Sequence, residues 1–202
     1  MFKNPNKLYD PKYFKLYSTS HSKLKKNEQG KCDYVNPESN KKCKNHIGLY
    51  PQFCFIHTLL INNVFVSESN IKKAGNGLFA GKFGFKKGDI IGLYSNENNK
   101  LTQNDVIEKC DRIKDDSCWE YVLCNLKKKG QTEHDIVCWD GEDTHSTIMR
   151  FINDSRKSGY KNNSYFYIKN NKKREPIAYV IASKNIKPYE EIFVSYGKNY
   201  WS

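Results

Sequence analysis

From Asn63 onward the chain is cut into short apolar runs by turn-forming residues, and that rhythm excludes most folds. NVFVSES at 63–69 alternates apolar with polar residues, as a strand with one buried face does. GLFAG at 77–81 and DIIGLY at 89–94 are further strand candidates. Others are expected at 119–124 (WEYVLC), 136–139 (IVCW), 164–168 (SYFYI), 177–182 (IAYVIA) and 191–194 (EIFV), with Pro188 in the turn before the last. TQNDVIEKCDRI at 102–113 is the best helix candidate. Thr102 is placed to cap it, Asp105 falls in its first turn, and Val106, Ile107 and Cys110 share one face. The domain is therefore expected to be mainly β with few short helices.

Composition divides the chain. Residues 1–30 are rich in Lys, Asn, Ser and Tyr without a sustained period, which reads as a basic arm whose Tyr9, Tyr13, Phe14, Leu16 and Tyr17 are free to pack on a neighbour. Residues 31–60 hold three cysteines and two histidines and read as a small separate unit, followed by the main domain over 62–202. Residues 1–60 carry eleven Lys against four Asp or Glu, so they supply +7 of the total formal charge of +12. Such a region is attracted to DNA, RNA or an acidic protein face. MFKNPNKLYD lacks the apolar core of a signal peptide, and no run approaches the 18 or so apolar residues of a membrane span. Seven cysteines, an odd number without a secretory signal, imply a reducing, intracellular setting and no membrane partner.

Cys32, Cys43, Cys54 and His57 are spaced C-x10-C-x10-C-x2-H. Thiolates and imidazole are the ligands tetrahedral zinc takes, and a 30-residue unit has too little core to fold unaided. His46, in KKCKNH, is a rival fourth ligand, and buried thiols packed on the main domain are the other reading. Cys110, Cys118, Cys124 and Cys138 lie in expected helix or strands without ligand spacing and read as core. The acidic stretch 133–143 (EHDIVCWDGED) is either a solvated loop or a seat for a basic peptide.

Three motifs remain. Gly75-Asn76-Gly77-Leu78-Phe79-Ala80 fits GxGxxG/A, but a dinucleotide site needs a buried strand before the glycines and a helix after them. Polar SESNIKK precedes this segment, and Gly81, Gly84 and Gly88 break any helix that follows. RFINDS at 150–155 and EEIFVSYGKNYW at 190–201 complete the set.

In this order and at these separations, KAGNGLFA, RFINDS and EEIFVSYG resemble the SET domain of protein lysine methyltransferases, over most of residues 62–202. The resemblance implies a β-clip fold with a C-terminal pseudoknot and S-adenosylmethionine as cofactor, behind a zinc-stabilised N-terminal segment like those of chromatin-associated proteins. It implies that Ala74, Asn76 and Gly77 line the cofactor through main-chain groups, joined by Asn153 and Asp154, with Trp201 stacking on the adenine. Asp154 stands where the motif usually has histidine. Tyr196 is implied as the catalytic residue at the inner end of a lysine channel walled by Tyr94 and by Phe166 or Tyr165. Val194 occupies the position that influences how many methyl groups are added. After RFINDS the loop RKSGYKNNSYFY is longer than usual, places Asn163-Ser164 where a Pro-Asn-Cys segment is common, and is expected at the surface.

The implied activity is methylation of a protein lysine, with histone tails the leading substrate class. A nuclear or chromatin setting and a DNA or nucleosome contact through the basic arm go with it. The alternative is a degenerate SET scaffold that serves as a chromatin- or DNA-binding module.

Overall fold

A computed structural model of the protein describes residues 30–96, 99–114, 116–125, 136–143, 146–156 and 158–197. Residues 1–29 of the basic arm and Trp201 lie outside the described residues. In chain order come α1 (Phe55–Asn62), β1 (Val64–Glu68), β2 (Asn76–Ala80), β3 (Ile90–Leu93), β4 (Lys100–Thr102) and α2 (Gln103–Ile113). Then follow β5 (Val122–Cys124), β6 (Val137–Asp140), β7 (Asn153–Asp154), β8 (Ser164–Asn170), β9 (Pro176–Ala182) and β10 (Phe193–Val194). Short 3-10 turns cover Asp116–Trp119 and Ile148–Phe151.

The strands form four small sheets: β1 with β2, β10 with β7, β3-β9-β8 and β4-β6-β5. This is the mainly β architecture expected. All pairs are antiparallel except β10 with β7, which run parallel. One apolar cluster extends from Tyr50 and α1 through β1 and β2 to Ile192 and Val194. Phe65 and Phe79 face each other across β1 and β2 and stack at 5.3 Å between ring centroids.

α1 has eight residues, too few to persist alone. Phe55 and Leu59 are buried in the main cluster, and such side chains contribute roughly 1.5–3 kcal/mol each, so packing holds this helix rather than propensity. α2 is built as expected at its start, with a capping box between Thr102 and Asp105. Its face is narrower than the sequence suggests: Val106 is fully buried, whereas Ile107 lies exposed.

The four cysteines read as core thiols are paired, Cys110 with Cys118 and Cys124 with Cys138. Cys110, Cys124 and Cys138 pack around Val106 and Ile136 and Cys118 is buried, so the core reading holds, but as disulfides. The pairs form because α2 turns back through residues 116–119 and because β5 sets Cys124 directly opposite Cys138 on β6. Sequence separations of 8 and 14 give no hint of either neighbour. With the three free cysteines at 32, 43 and 54, this accounts for all seven.

Candidate active site

The three motifs meet along the C-terminal segment. On one side of it β10 pairs with β7, Phe193 opposite Asn153 and Val194 opposite Asp154. On the other side Glu191 bridges to Phe79 of β2, and Ile192 N–H donates to Leu78 O at 2.8 Å. Asn163, only 1% exposed, straps the segment: its Nδ2 donates to Glu191 O and its Oδ1 accepts from Phe193 N–H, both at 2.8 Å. Ser155 Oγ donates to Asn162 Oδ1 at 2.7 Å, which ties the start of the loop after RFINDS to its end. The tip of that loop is at the surface, with Tyr160 47% exposed, while Asn163 and Ser164 are buried.

Asp154 has a definite task here. Its carboxylate is buried and accepts from Arg156 N–H through Oδ1 and from Tyr196 N–H through Oδ2, both at 2.8 Å. It therefore ties the RFINDS strand to the backbone of the tyrosine. A carboxylate oxygen accepting from a backbone N–H is a charge-assisted bond, stronger than a neutral pair.

The Tyr196 hydroxyl donates to Ile152 O at 2.7 Å. A phenol has one proton and two lone pairs, so a hydroxyl that donates to a fixed carbonyl keeps acceptor capacity for an incoming N–H. Tyr196 lines a cavity together with Tyr94, Tyr121, Leu123, Ile152 and Phe166. Tyr94 is buried and donates to Tyr121 O at 2.5 Å, and its ring meets Phe166 edge-on at 5.4 Å. Burial, followed by the neighbouring Tyr196, pushes the Tyr94 phenol well above its ordinary range, so it stays a neutral donor. Of the two expected walls, Phe166 faces the cavity and Tyr165 is exposed. Val194 is fully buried in the main cluster and does not line the cavity.

Tyr121 and Arg150 had no role expected from their local sequence. The Arg150 guanidinium stacks over the Tyr121 ring at 4.3 Å and donates to Gly141 O and Glu142 O. It thereby fixes one cavity wall through a cation–π contact. Only its place inside RFINDS hinted at this. In the acidic stretch, Asp140 and Glu142 are paired with Lys109 of α2.

The glycine segment runs into β2, and no helix follows it, which disposes of the dinucleotide pattern. Gly75 has φ +73°, a left-handed conformation that favours glycine, with open space where a side chain would stand. Gly77 differs: a Cβ there would lie 2.2 Å from Glu191 Oε1. Its missing side chain makes room for a buried carboxylate. Ala74 is exposed, Asn76 is half-buried, and Asn153 Nδ2 donates to Asn76 O at 3.0 Å. The segment is thus joined directly to RFINDS.

The N-terminal unit gathers Cys32, Cys43, Cys54 and His57, whose ligand atoms all lie within 4.8 Å of one another. His57 Nδ1 is 3.3 Å from both Cys32 Sγ and Cys54 Sγ. A tetrahedral zinc site has ligand edges of roughly 3.5–3.8 Å, so the four side chains can hold one ion. Backbone turns near Cys32 and Cys43 and the start of α1 bring them together. Tyr34 stacks on the His57 ring at 3.7 Å and sets its orientation. Burial pushes the Cys54 thiol up to about 11, where a bound dication restores the thiolate. His46, the rival ligand, lies outside this group with its Nε2 3.0 Å from Lys31 Nζ.

The SET domain family profile matches residues 75–197, well over half of the chain. The chain belongs to the SET domain family. No curated protein sequence matches it. Among solved structures, the polycomb repressive complex 2 of Chaetomium thermophilum, autoinhibited and bound to S-adenosylmethionine, is similar at TM-score 0.53 and 21% identity, over 79% of this chain and 17% of that one. A crystal structure of the Chaetomium thermophilum complex is similar at TM-score 0.52 and 21% identity, with the same coverage. The SET chain thus spans 17% of the length of those relatives, and the likeness is one of fold.

Proposed function

We propose that the protein is an S-adenosylmethionine-dependent protein lysine methyltransferase, with Tyr196 as its catalytic residue. The observation that carries this reading is the cavity in which Tyr196, Tyr94 and Phe166 converge beside the joined glycine and RFINDS segments. The site fits the cofactor in two respects: open space at Gly75, and at Gly77 a buried carboxylate that suits the cationic sulfonium end. Ala74, Asn76, Gly77, Asn153 and Asp154 would hold it, with Trp201 on the adenine. When bound, the cofactor supplies an electrophilic methyl group.

The remaining work falls to the chain. A lysine amine with pKa near 10.4 has to enter unprotonated, and an aromatic cavity disfavours the ammonium form. Tyr196 accepts a hydrogen bond from the amine while its own proton stays on Ile152 O, which orients the nitrogen lone pair without placing a fixed charge beside it. Tyr94 and Phe166 confine the alkyl stem. Such in-line positioning supplies about 7–11 kcal/mol in favourable cases.

Histone tails are the proposed substrate, which places the protein at chromatin. The deciding experiment follows tritiated methyl from S-adenosylmethionine onto core histones, with wild type beside Tyr196→Phe. Label that disappears in the variant is expected. Cofactor binding without histone labelling would direct the search to another basic protein. Absence of both would leave the scaffold reading.

A further inference from the structure

Glu191 is 1% exposed, yet none of the ion pairs among the described residues involves it. Its Oε1 accepts from Ser69 Oγ at 2.6 Å and from Asn153 Nδ2 at 3.4 Å, and its Oε2 accepts from Asn70 N–H at 2.7 Å. Ser69 Oγ in turn accepts from Ile71 N–H at 3.0 Å. Asn70 N–H and Asn153 Nδ2 are donors only, so both carboxyl oxygens face donors, an arrangement that suits a negative charge.

A buried charge without a counter-charge is costly, and hydrogen bonds offset that cost only in part. The geometry shows where a counter-charge belongs. Glu191 sits against Gly77, where even a Cβ would collide with it. Through Ser69 and Asn70 it also anchors the loop leading into Gly75 and Asn76. These are the backbone groups that the proposed function assigns to the cofactor's methionyl end, whose ammonium, carboxylate and sulfonium sum to one positive charge.

We propose that Glu191 is the fixed counter-charge of that cationic end, and that it makes the site favour the sulfonium cofactor over its demethylated product. The inference rests on the methyl-transfer reading of the site. Transfer of the methyl group returns the S–C electron pair to sulfur and leaves a neutral thioether, so the product carries one positive charge fewer. A carboxylate in low-dielectric surroundings distinguishes the two, whereas a brace that merely shapes the loop does not.

Calorimetric titration of the full chain with S-adenosylmethionine and S-adenosylhomocysteine tests this, using wild type, Glu191→Gln and Glu191→Asp. Glu191→Gln is expected to weaken the sulfonium ligand about tenfold more than the thioether, a difference of about 1.4 kcal/mol. Glu191→Asp, which keeps the charge, is expected to preserve the wild-type ratio even where both affinities fall. Equal losses for both ligands in Glu191→Gln would overturn the inference and leave Glu191 a structural brace. Wild-type protein that binds neither ligand overturns the methyl-transfer reading, and this inference with it. If Glu191→Gln does not fold, wild type alone decides: an analogue with ammonium in place of the sulfonium must bind tighter than the thioether, and equal affinity overturns the proposal.

Discussion

At the scale of the residue, the informative position is the one where the motif departs from its usual form. Asp154 holds two backbone N–H groups, one of them that of Tyr196. Asp154→Asn exchanges an acceptor oxygen for an amide donor and leaves one N–H unsatisfied, a loss of about 1–3 kcal/mol. With methyl transfer as the assay, kcat is expected to fall on the order of tenfold, since 1.4 kcal/mol is one decade of rate. The cofactor Kd should change far less, and a variant with unaltered kcat would separate Asp154 from the tyrosine. Tyr94 gives a pH-dependent prediction. Its folded pKa is raised by burial, so its stabilising contribution is complete below the unfolded value near 10 and is lost as pH rises beyond it. Urea melts at pH 7.5 and pH 10.5 should show an alkaline loss of stability that is smaller in Tyr94→Phe. Tyr196, Tyr94 and Asn153 were singled out from the sequence, and the fold sets the two tyrosines on one cavity and joins Asn153 to Asn76. Glu191 and Tyr121 were not, because their roles depend on what lies across the chain from them.

At the scale of the element, long patterned segments were legible and short ones were not. SYFYI and IAYVIA became β8 and β9, whose burial alternates, whereas NVFVSES became β1 with both faces buried from Val64 to Ser67, not the single buried face its pattern predicted. β4 has three residues and β7 two, too few to carry any period. WEYVLC is a strand only over Val122–Cys124, since a 3-10 turn occupies Asp116–Trp119 before it. α1 was missed because FIHTLLIN is a short apolar run, equally suited to strand and helix until its neighbours are known. For α2 the cap outweighs the second apolar residue. Thr102→Ala is expected to lower stability by about 1 kcal/mol in denaturant unfolding. Ile107→Ala, at an exposed position, should stay within roughly 0.5 kcal/mol.

At the scale of the molecule, α1 joins two centres. Cys54 precedes it and His57 lies in its first turn, while Phe55 and Leu59 belong to the main cluster. Metal loss at the four Cys and His side chains therefore should not stay local. Calorimetric melting with and without a zinc chelator is expected to show one cooperative transition moved to lower temperature. An early separate transition, with the main one unmoved, would mean that residues 31–60 melt independently. The sequence by itself determined the β-rich class, the cap of α2, the SET resemblance and the side chains able to bind zinc. Each of these is written in local pattern, in spacing or in motif. The tertiary structure alone decided that four cysteines pair, that Ile107 faces outward and that Phe166 rather than Tyr165 lines the cavity. It also decided that Gly77 is small on account of Glu191, a residue 114 positions away. The physical reason is common to all of these. Burial, pairing and close approach are properties of what faces a residue across the fold, and no local stretch of sequence contains that neighbour.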